Sequence, residues 1–334
     1  MFGMNHGRRR LLETVLASLT FGAVLFGAST AALADSAAPA ATELRIGYQK
    51  SSTLIVTLKA QGTLEKALAP LNVHIKWAEF ASGLPLAEAL NANAVDFSAD
   101  VADTVPIFAQ AAHADFVYVA QEAPSPTAQA IIVPKDSPAK SFADLKGKRI
   151  AVAKAAGAHY LLLAALKRAG LTAKDVEIVY LAPADGRAAI ETGRVDAWVT
   201  WDPYVASVER EPGLRILSDG TGLASYQRYY LASKPFADAH PEVVRVLYEQ
   251  LVAAGVWVKA HPQDAAHLLA PVWGLDDATV ERANGRRSYA VRLVEAQNFG
   301  EQQSIADTFF AAGFIPQAID TRRVGFWKPA PGKA

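Results

Sequence analysis

Apolar and polar positions alternate along residues 44–48. Leu44, Ile46 and Tyr48 fall on one face and Arg45 and Gly47 on the other, the two-residue period of a β-strand. A polar turn over 49–53 leads into Leu54, Leu58 and Leu64, which recur at helical spacing. A second strand is predicted over 74–80, a helix over 85–90, a third strand over 95–98, a helix opening at 106–111 and a strand over 116–120. The same order restarts at 149–153 with a strand and a turn at 154–157. A helix follows with the stripe Leu161, Leu162, Ala165 and Leu166, and Gly170 stands where a C-cap glycine belongs. Strands at 176–181 and 195–200 flank a helix at 185–192. The last third predicts helices over 241–259, 262–270, 276–284 and 291–313.

The two passages are an internal repeat. Residues 89–96 (Ala-Leu-Asn-Ala-Asn-Ala-Val-Asp) align without a gap with 189–196 (Ala-Ile-Glu-Thr-Gly-Arg-Val-Asp), and Ile46 to Lys50 matches Ile150 to Lys154. A repeat of this length is a domain-sized unit rather than a solenoid turn. Alternating strands and helices predict an α/β fold, each lobe a mostly parallel sheet flanked by helices. Segments 121–130 and 218–230, rich in Pro, Ser, Gly and Tyr, read as two crossovers. Lobe I is then discontinuous, 35–125 plus 225–334, and lobe II is the insert 126–224. Two lobes joined by two crossovers enclose a cleft that closes by hinge motion.

Residues 1–34 are expected to be a cleaved signal peptide. Arg8, Arg9 and Arg10 precede an apolar stretch at 15–33, which ends in Ala32-Leu33-Ala34. The chain of 334 residues, 51% hydrophobic and 20% charged, has material for two cores, and its formal net charge is zero. That balance gives no basic face for nucleic acid. There are no cysteines, hence no disulfides and no lipidated N-terminus. An exported chain of this kind is expected free in a periplasm, as a monomer.

No Gly-x-Ser-x-Gly, His-Glu-x-x-His, phosphate loop or Gly-x-Gly-x-x-Gly is present, and a cysteine nucleophile is impossible. The histidines show no metal-ligand spacing, so neither metal nor cofactor is expected. Three strand-to-helix junctions instead offer open backbone N–H groups to an anion: 49–53 with Gln49, Ser82-Gly83, and 154–159 with Ala156, Gly157 and His159. Gly83 and Gly157 allow close approach to the backbone. Ser82 equally suits a plain N-cap, His159 an early helix position and Lys154 a solvated turn. In Trp198-Val199-Thr200-Trp201-Asp202-Pro203-Tyr204, Trp198 reads as core, while Trp201 and Tyr204 read as a pocket wall for an apolar tail. Asp202 suits a helix cap, a cleft-ordering role or contact with a cationic ligand group. Asp103 or Thr104 either caps the helix near Pro106 or meets ligand. Arg286 and Arg287 are expected at the surface.

Taken together, Leu-Arg-Ile-Gly-Tyr-Gln-Lys (44–50), Pro-Ile-Phe-Ala-Gln-Ala-Ala (106–112), Asp-Leu-Lys-Gly-Lys (144–148), Leu-Ala-Pro-Ala-Asp-Gly-Arg-Ala-Ala (181–189) and Trp-Asp-Pro-Tyr (201–204) carry a family likeness. The chain resembles the periplasmic aliphatic sulfonate-binding proteins of ABC importers, relatives of the taurine- and nitrate-binding proteins, over nearly all of 43–325. The resemblance implies a type II periplasmic binding protein fold with ligand between the lobes. It implies an anion site at Gln49, Ser82-Gly83 and 155–159, with Trp201 and Asp202 in the Trp-Asp-Pro motif. It also implies ABC permease subunits as partners and no enzymatic activity. Taurine, nitrate, an aromatic sulfonate or a sulfate ester are the alternative ligands, and an enzyme on the same fold is the remaining alternative. The chain departs from the family at 155–158, where Ala-Ala-Gly-Ala replaces a serine-rich loop. It departs again at Asp100, a carboxylate that would repel an anion unless it points away.

Overall fold

The computed structural model describes residues 41–295 and 299–329, and the expected leader lies outside them. The first passage runs Thr42–Tyr48 (β1), Thr53–Gln61 (α1), Thr63–Leu68 (α2), Val73–Glu79 (β2), Gly83–Asn91 (α3), Phe97–Ala102 (β3), Thr104–Ala111 (α4) and Phe116–Glu122 (β4). The second runs Gln129–Pro134 (β5), Arg149–Val152 (β6), Gly157–Arg168 (α5), Glu177–Tyr180 (β7), Pro183–Glu191 (α6), Ala197–Trp201 (β8), Tyr204–Val208 (α7) and Leu214–Asp219 (β9). The chain then returns through Arg228–Ser233 (β10), Lys234–Ala239 (α8), Pro241–Ala260 (α9), Pro262–Trp273 (α10), Asp277–Gly285 (α11), Gly300–Ala311 (α12) and Gly325–Phe326 (β11).

Two sheets result, ordered β11-β4-β10-β3-β1-β2 and β7-β6-β8-β5-β9. In each, the repeated strands pair in parallel: β1 with β2 and β3, β6 with β7 and β8. Both sheets are more mixed than expected. β10 runs antiparallel between β3 and β4, and β5 runs antiparallel between β8 and β9. These strands grow out of the segments read as crossovers. A strand that enters a sheet at the end where its neighbours finish must run back against them. The helix expected from 291 begins only at Gly300, and Gln121 pairs with Arg292 in an isolated bridge before it.

Helices cover both faces of each sheet. On α9, Val244, Leu247, Leu251, Ala254 and Val258 step by three and four residues and are buried where α9 packs on α1, α2 and β4. Each buried Val or Leu among these contributes about 1.5–3 kcal/mol. The other face of the first sheet packs against α3 and α4 through Leu86, Leu90, Val101 and Val105. In the second sheet, α5 covers one face with Leu161, Leu162 and Ala165, and α6 and α7 cover the other around Trp198. Gly186 gives Trp198 its space, because a Cβ there would lie 2.6 Å from the indole nitrogen. Ile305 and Phe309 of α12 join the cluster that holds α4 and α5.

The repeat in sequence is a repeat in hydrogen bonding. Asp96 accepts from the Arg45 backbone N–H at 2.8 Å and from its guanidinium, while Arg45 also reaches the Asn93 carbonyl. Asp196 accepts from the Arg149 N–H at 2.9 Å and from its guanidinium, and Arg149 reaches the Gly193 carbonyl at 3.2 Å. Asn93 and Gly193 both adopt the left-handed conformation that ends the preceding helix. Each aspartate, just before β3 or β8, therefore ties that strand to β1 or β6 beside it. Asp96 is the more buried of the two, with 8% of its side chain exposed against 38% for Asp196. We expect Asp96→Ala to cost about 2–3 kcal/mol and Asp196→Ala about 1 kcal/mol or less, read from urea unfolding midpoints.

Candidate functional site

Ligands of open α/β sheets sit beyond the carboxyl ends of the strands, and here those ends from the two sheets border one cavity of about 410 Å³. Gln49 to Ser51 follow β1, Phe80 and Ala81 follow β2, Ala182 to Arg187 follow β7, and Pro203 to Ser207 follow β8. Trp273 to Leu275, at the end of α10, close one side. The walls are largely apolar, with Phe80, Pro183, Trp201, Tyr204, Trp273 and Leu275. Arg187 lines the cavity with its charge committed, to Glu191 at 2.8 Å and to Glu211, and it also donates to Ser207 Oγ. Glu79 accepts from the Tyr48 hydroxyl at 3.3 Å.

Gln49 and Trp201 also border a second, narrow site of about 10 Å³ with Gly83, Ala102, Val105, Ala156, Gly157, Tyr226 and Arg228. It lies at the N-terminus of α5, a full-length helix whose N-cap, Ala156, has no side chain to receive the first-turn N–H groups. Those N–H groups and the helix dipole favour an anion. Gly157 is required by close approach, since a Cβ would meet the Tyr226 ring at 2.5 Å and Ala102 at 3.1 Å. Ala155 holds φ +61°, which an alanine adopts only when held. Its N–H donates to His159 Nδ1 at 3.3 Å, and its carbonyl accepts from Thr104 Oγ1 of the first lobe at 2.6 Å.

Of the residues expected here from sequence, Gln49, Gly83, Ala156, Gly157, Trp201 and Tyr204 line one or both cavities. Ser82, Asp103, His159 and Asp202 line neither. Ser82 stands at the N-cap of α3 without a side-chain cap bond. His159 points into the core of the second lobe, against Phe314, Phe309 and Tyr180 at 4.6–5.5 Å between ring centres. Burial, reinforced by Lys154, pulls its pKa down to about 3, so it stays neutral and acts as an acceptor that shapes the loop. Asp103 is buried behind the site, accepts from the Gln227 N–H at 3.0 Å, and is pushed up to about 7 by burial. Asp202 accepts from the Ala206 N–H at 2.9 Å at the start of α7.

Arg287 is not at the surface, and Arg286 is only partly exposed, with 14% of its side chain accessible. Arg287 is 4% exposed and reaches Glu122 and Asp100 at 2.6 and 2.9 Å, and Asp100 also accepts from Arg228 at 2.6 Å. Asp100 is thus turned away from the cleft and paired. Arg286 donates from Nη1 to both Asp202 oxygens, at 2.9 and 3.0 Å, and with Arg282 reaches Glu209. Arg228, Tyr226, Glu79, Phe80, Arg187 and Trp273 were not singled out as site residues from sequence. For Arg228 the available signal was its place immediately after the second crossover.

The chain matches the family described as NMT1/THI5 like over residues 71–265. It is 38% identical to an aliphatic sulfonates-binding protein of Escherichia coli, over 96% of this chain and 97% of that one. The chain belongs to the aliphatic sulfonate-binding protein family. Two solved structures of the family superpose on it. The alkanesulfonate-binding protein SsuA from Xanthomonas axonopodis pv. citri, bound to MOPS, gives a TM-score of 0.79 at 38% identity, covering 83% of this chain and 96% of that one. The periplasmic aliphatic sulphonate binding protein SsuA from Escherichia coli gives 0.78 at 37%, covering 87% and 94%. The two-sheet architecture of this chain is accordingly the periplasmic binding protein fold.

Within that fold, the two sheets' units meet through an apolar contact of α4 and α12 with α5, which includes Ile107, Ile305 and Phe309, and through a set of polar contacts. Trp201 Nε1 donates to Ser51 Oγ at 3.4 Å, Thr104 to Ala155, and the Arg282–Arg286 pair grips Asp202 and Glu209. Arg286→Gln removes the bidentate pair without touching either cavity. We expect a larger radius of gyration for the ligand-free variant in small-angle scattering, with its thermal midpoint little changed.

Asp103 and Asp202 (the latter pushed up to about 6 by burial, against the pull of Arg286) give a second test. Both folded-state values lie above the unfolded one, so the folded chain keeps protons that the unfolded chain has lost. Their contribution is therefore most favourable below about pH 4 and is lost as pH rises to about 6–7. Asp103→Asn keeps the acceptor for Gln227 and removes the charge. Its melting temperature should exceed wild type by several degrees at pH 8 and match it near pH 4, measured by calorimetry across that range.

Proposed function

We propose that this chain is a periplasmic carrier that captures an organic sulfonate between its two lobes and presents it to an ABC importer. One observation supports this reading above the others. A narrow site at the uncapped N-terminus of α5, bordered by Arg228, shares Gln49 and Trp201 with an aromatic cavity of about 410 Å³. A ligand matching both ends has a compact anionic head and an apolar tail. A bare inorganic anion leaves the aromatic walls unused. The relatives in Escherichia coli and Xanthomonas carry the corresponding names, and MOPS is itself a sulfonate with a bulky ring.

The narrow site, about 10 Å³, has room for one water molecule at most and not for a sulfonate head group, so in this reading a head group enters as the lobes part and is enclosed as they return. Ligand then selects the closed state by binding it better than the open one. In this reading the 1–34 leader directs export, the carrier is monomeric, and the closed form is what the permease recognises. No chemistry on the ligand is required.

Thermal unfolding with propanesulfonate, MOPS, taurine, nitrate, sulfate and a sulfate ester tests the reading. Ligand at 100 times its Kd stabilises by about 2.7 kcal/mol, a rise of a few degrees at this size. Propanesulfonate and MOPS should give that rise and nitrate and sulfate none, and a response to nitrate alone would sink the proposal. Trp201→Ala should weaken MOPS binding at least about 30-fold, or ~2 kcal/mol, by calorimetric titration.

A further inference from the structure

We propose that Arg228 grips the head group through its Nε–H, and that the charge-balanced cluster behind it makes the site accept a monoanion and refuse a dianion. This rests on reading the cleft as a sulfonate site.

Arg228 is the first residue of β10. In register it stands opposite Ala102 of β3 and Glu122 of β4, at the cleft end of the first sheet. It is 3% exposed and borders the narrow site with Gln49, Gly83, Ala156 and Gly157. Nη1 donates to Asp100 Oδ2 at 2.6 Å and Nη2 to the Tyr226 hydroxyl at 2.9 Å. Nε, fully enclosed, has no hydrogen-bond partner among the described residues. A buried charged donor left without an acceptor is costly, and such groups mark strain or a binding role. The uncapped start of α5 adds N–H donors to the same small space. Two independent features, an arginine with an orphaned donor and an open helix N-terminus, thus border one site.

The cluster behind Arg228 decides how much negative charge can be added. Arg228 and Arg287 share Asp100, and Arg287 also holds Glu122, which accepts from the Tyr230 hydroxyl at 2.7 Å. Two guanidinium groups and two carboxylates sum to zero. They hold Arg228 charged and aimed while leaving no excess positive charge. One further negative charge is met by Nε–H and the helix dipole. A second faces Asp100 and Glu122 where water does not screen them. Sulfonates and sulfate monoesters carry one charge, whereas a phosphate monoester of the same shape carries close to two at pH 8.

Calorimetric titration of the wild-type protein at pH 8 with propanesulfonate, propyl sulfate and propyl phosphate tests the charge rule. The first two should bind, and propyl phosphate at least about 100-fold more weakly than propyl sulfate, because the added charge is opposed rather than paired. Two variants test the residue. Arg228→Lys keeps the charge beside Asp100 and loses Nε–H. The double variant Arg228→Gln with Asp100→Asn removes one charge of each sign. Folded by their melting curves, both should bind propanesulfonate at least tenfold more weakly. A folded variant with wild-type affinity overturns the assignment, as does propyl phosphate binding as tightly as propyl sulfate. If neither variant folds, the wild-type comparison of the two esters decides alone. Failure of wild type to bind any sulfonate is a different result, and overturns the reading of the cleft itself.

Discussion

Four charged side chains in the middle of the first lobe hold this molecule together. Asp100, Glu122, Arg228 and Arg287 are each 4% exposed or less. Removing any one of them from water costs several kcal/mol, and only mutual pairing offsets that cost. The pairing needs β3, β4, β10 and the segment after α11 to meet at one point. A chain that left any of these elements loose would expose or orphan a charge. The cluster therefore ties the returning C-terminal third to the sheet begun at the N-terminus. Arg287 also donates to the Ser51 carbonyl at 3.3 Å, which fixes one lip of the cleft.

The next residue, Arg286, carries the consequence to the other lobe. It leaves the same turn in a different direction and grips Asp202 and Glu209. The end of α11 is thus anchored firmly in one lobe and polar in its attachment to the other. Polar contacts exchange for water at small net cost. The apolar contact between the units is that of α4 and α12 with α5, so on the proposed reading the polar lip is what parts and re-forms when the cleft opens, and the aromatic walls inside the cavity are left for the ligand.

On the proposed reading, the loop at 154–157 builds an anion site without hydroxyls. Serines would supply donors directly. Here the backbone supplies them, and its geometry must then be enforced from outside. His159 receives one end of Ala155, Thr104 holds the other, and Tyr226 packs on Gly157. His159 was a reasonable ligand candidate from its position two residues into α5. Its ring turns inward because Phe309 and Phe314, which come from the last helix and the turn after it, offer an apolar box there.

The sequence by itself determined the repeated order of strands and helices, because a two-residue or 3.6-residue period is a local property of the chain. It also determined the cleft-side loops at Gln49, Gly83, Gly157 and Trp201, since the ends of parallel strands are where such folds bind. Both readings stopped where the chain reverses. β5 and β10 enter their sheets antiparallel, so the beginning of β10 lies where its neighbours end, and Arg228 at that beginning belongs to the cleft. Only the tertiary structure decided that, together with the fate of Asp100, Arg286 and Arg287. Asp100 meets Arg228 across 128 residues of chain and Arg287 across 187. No local period records such a pairing, since a buried charge finds its partner through the packing of whole elements.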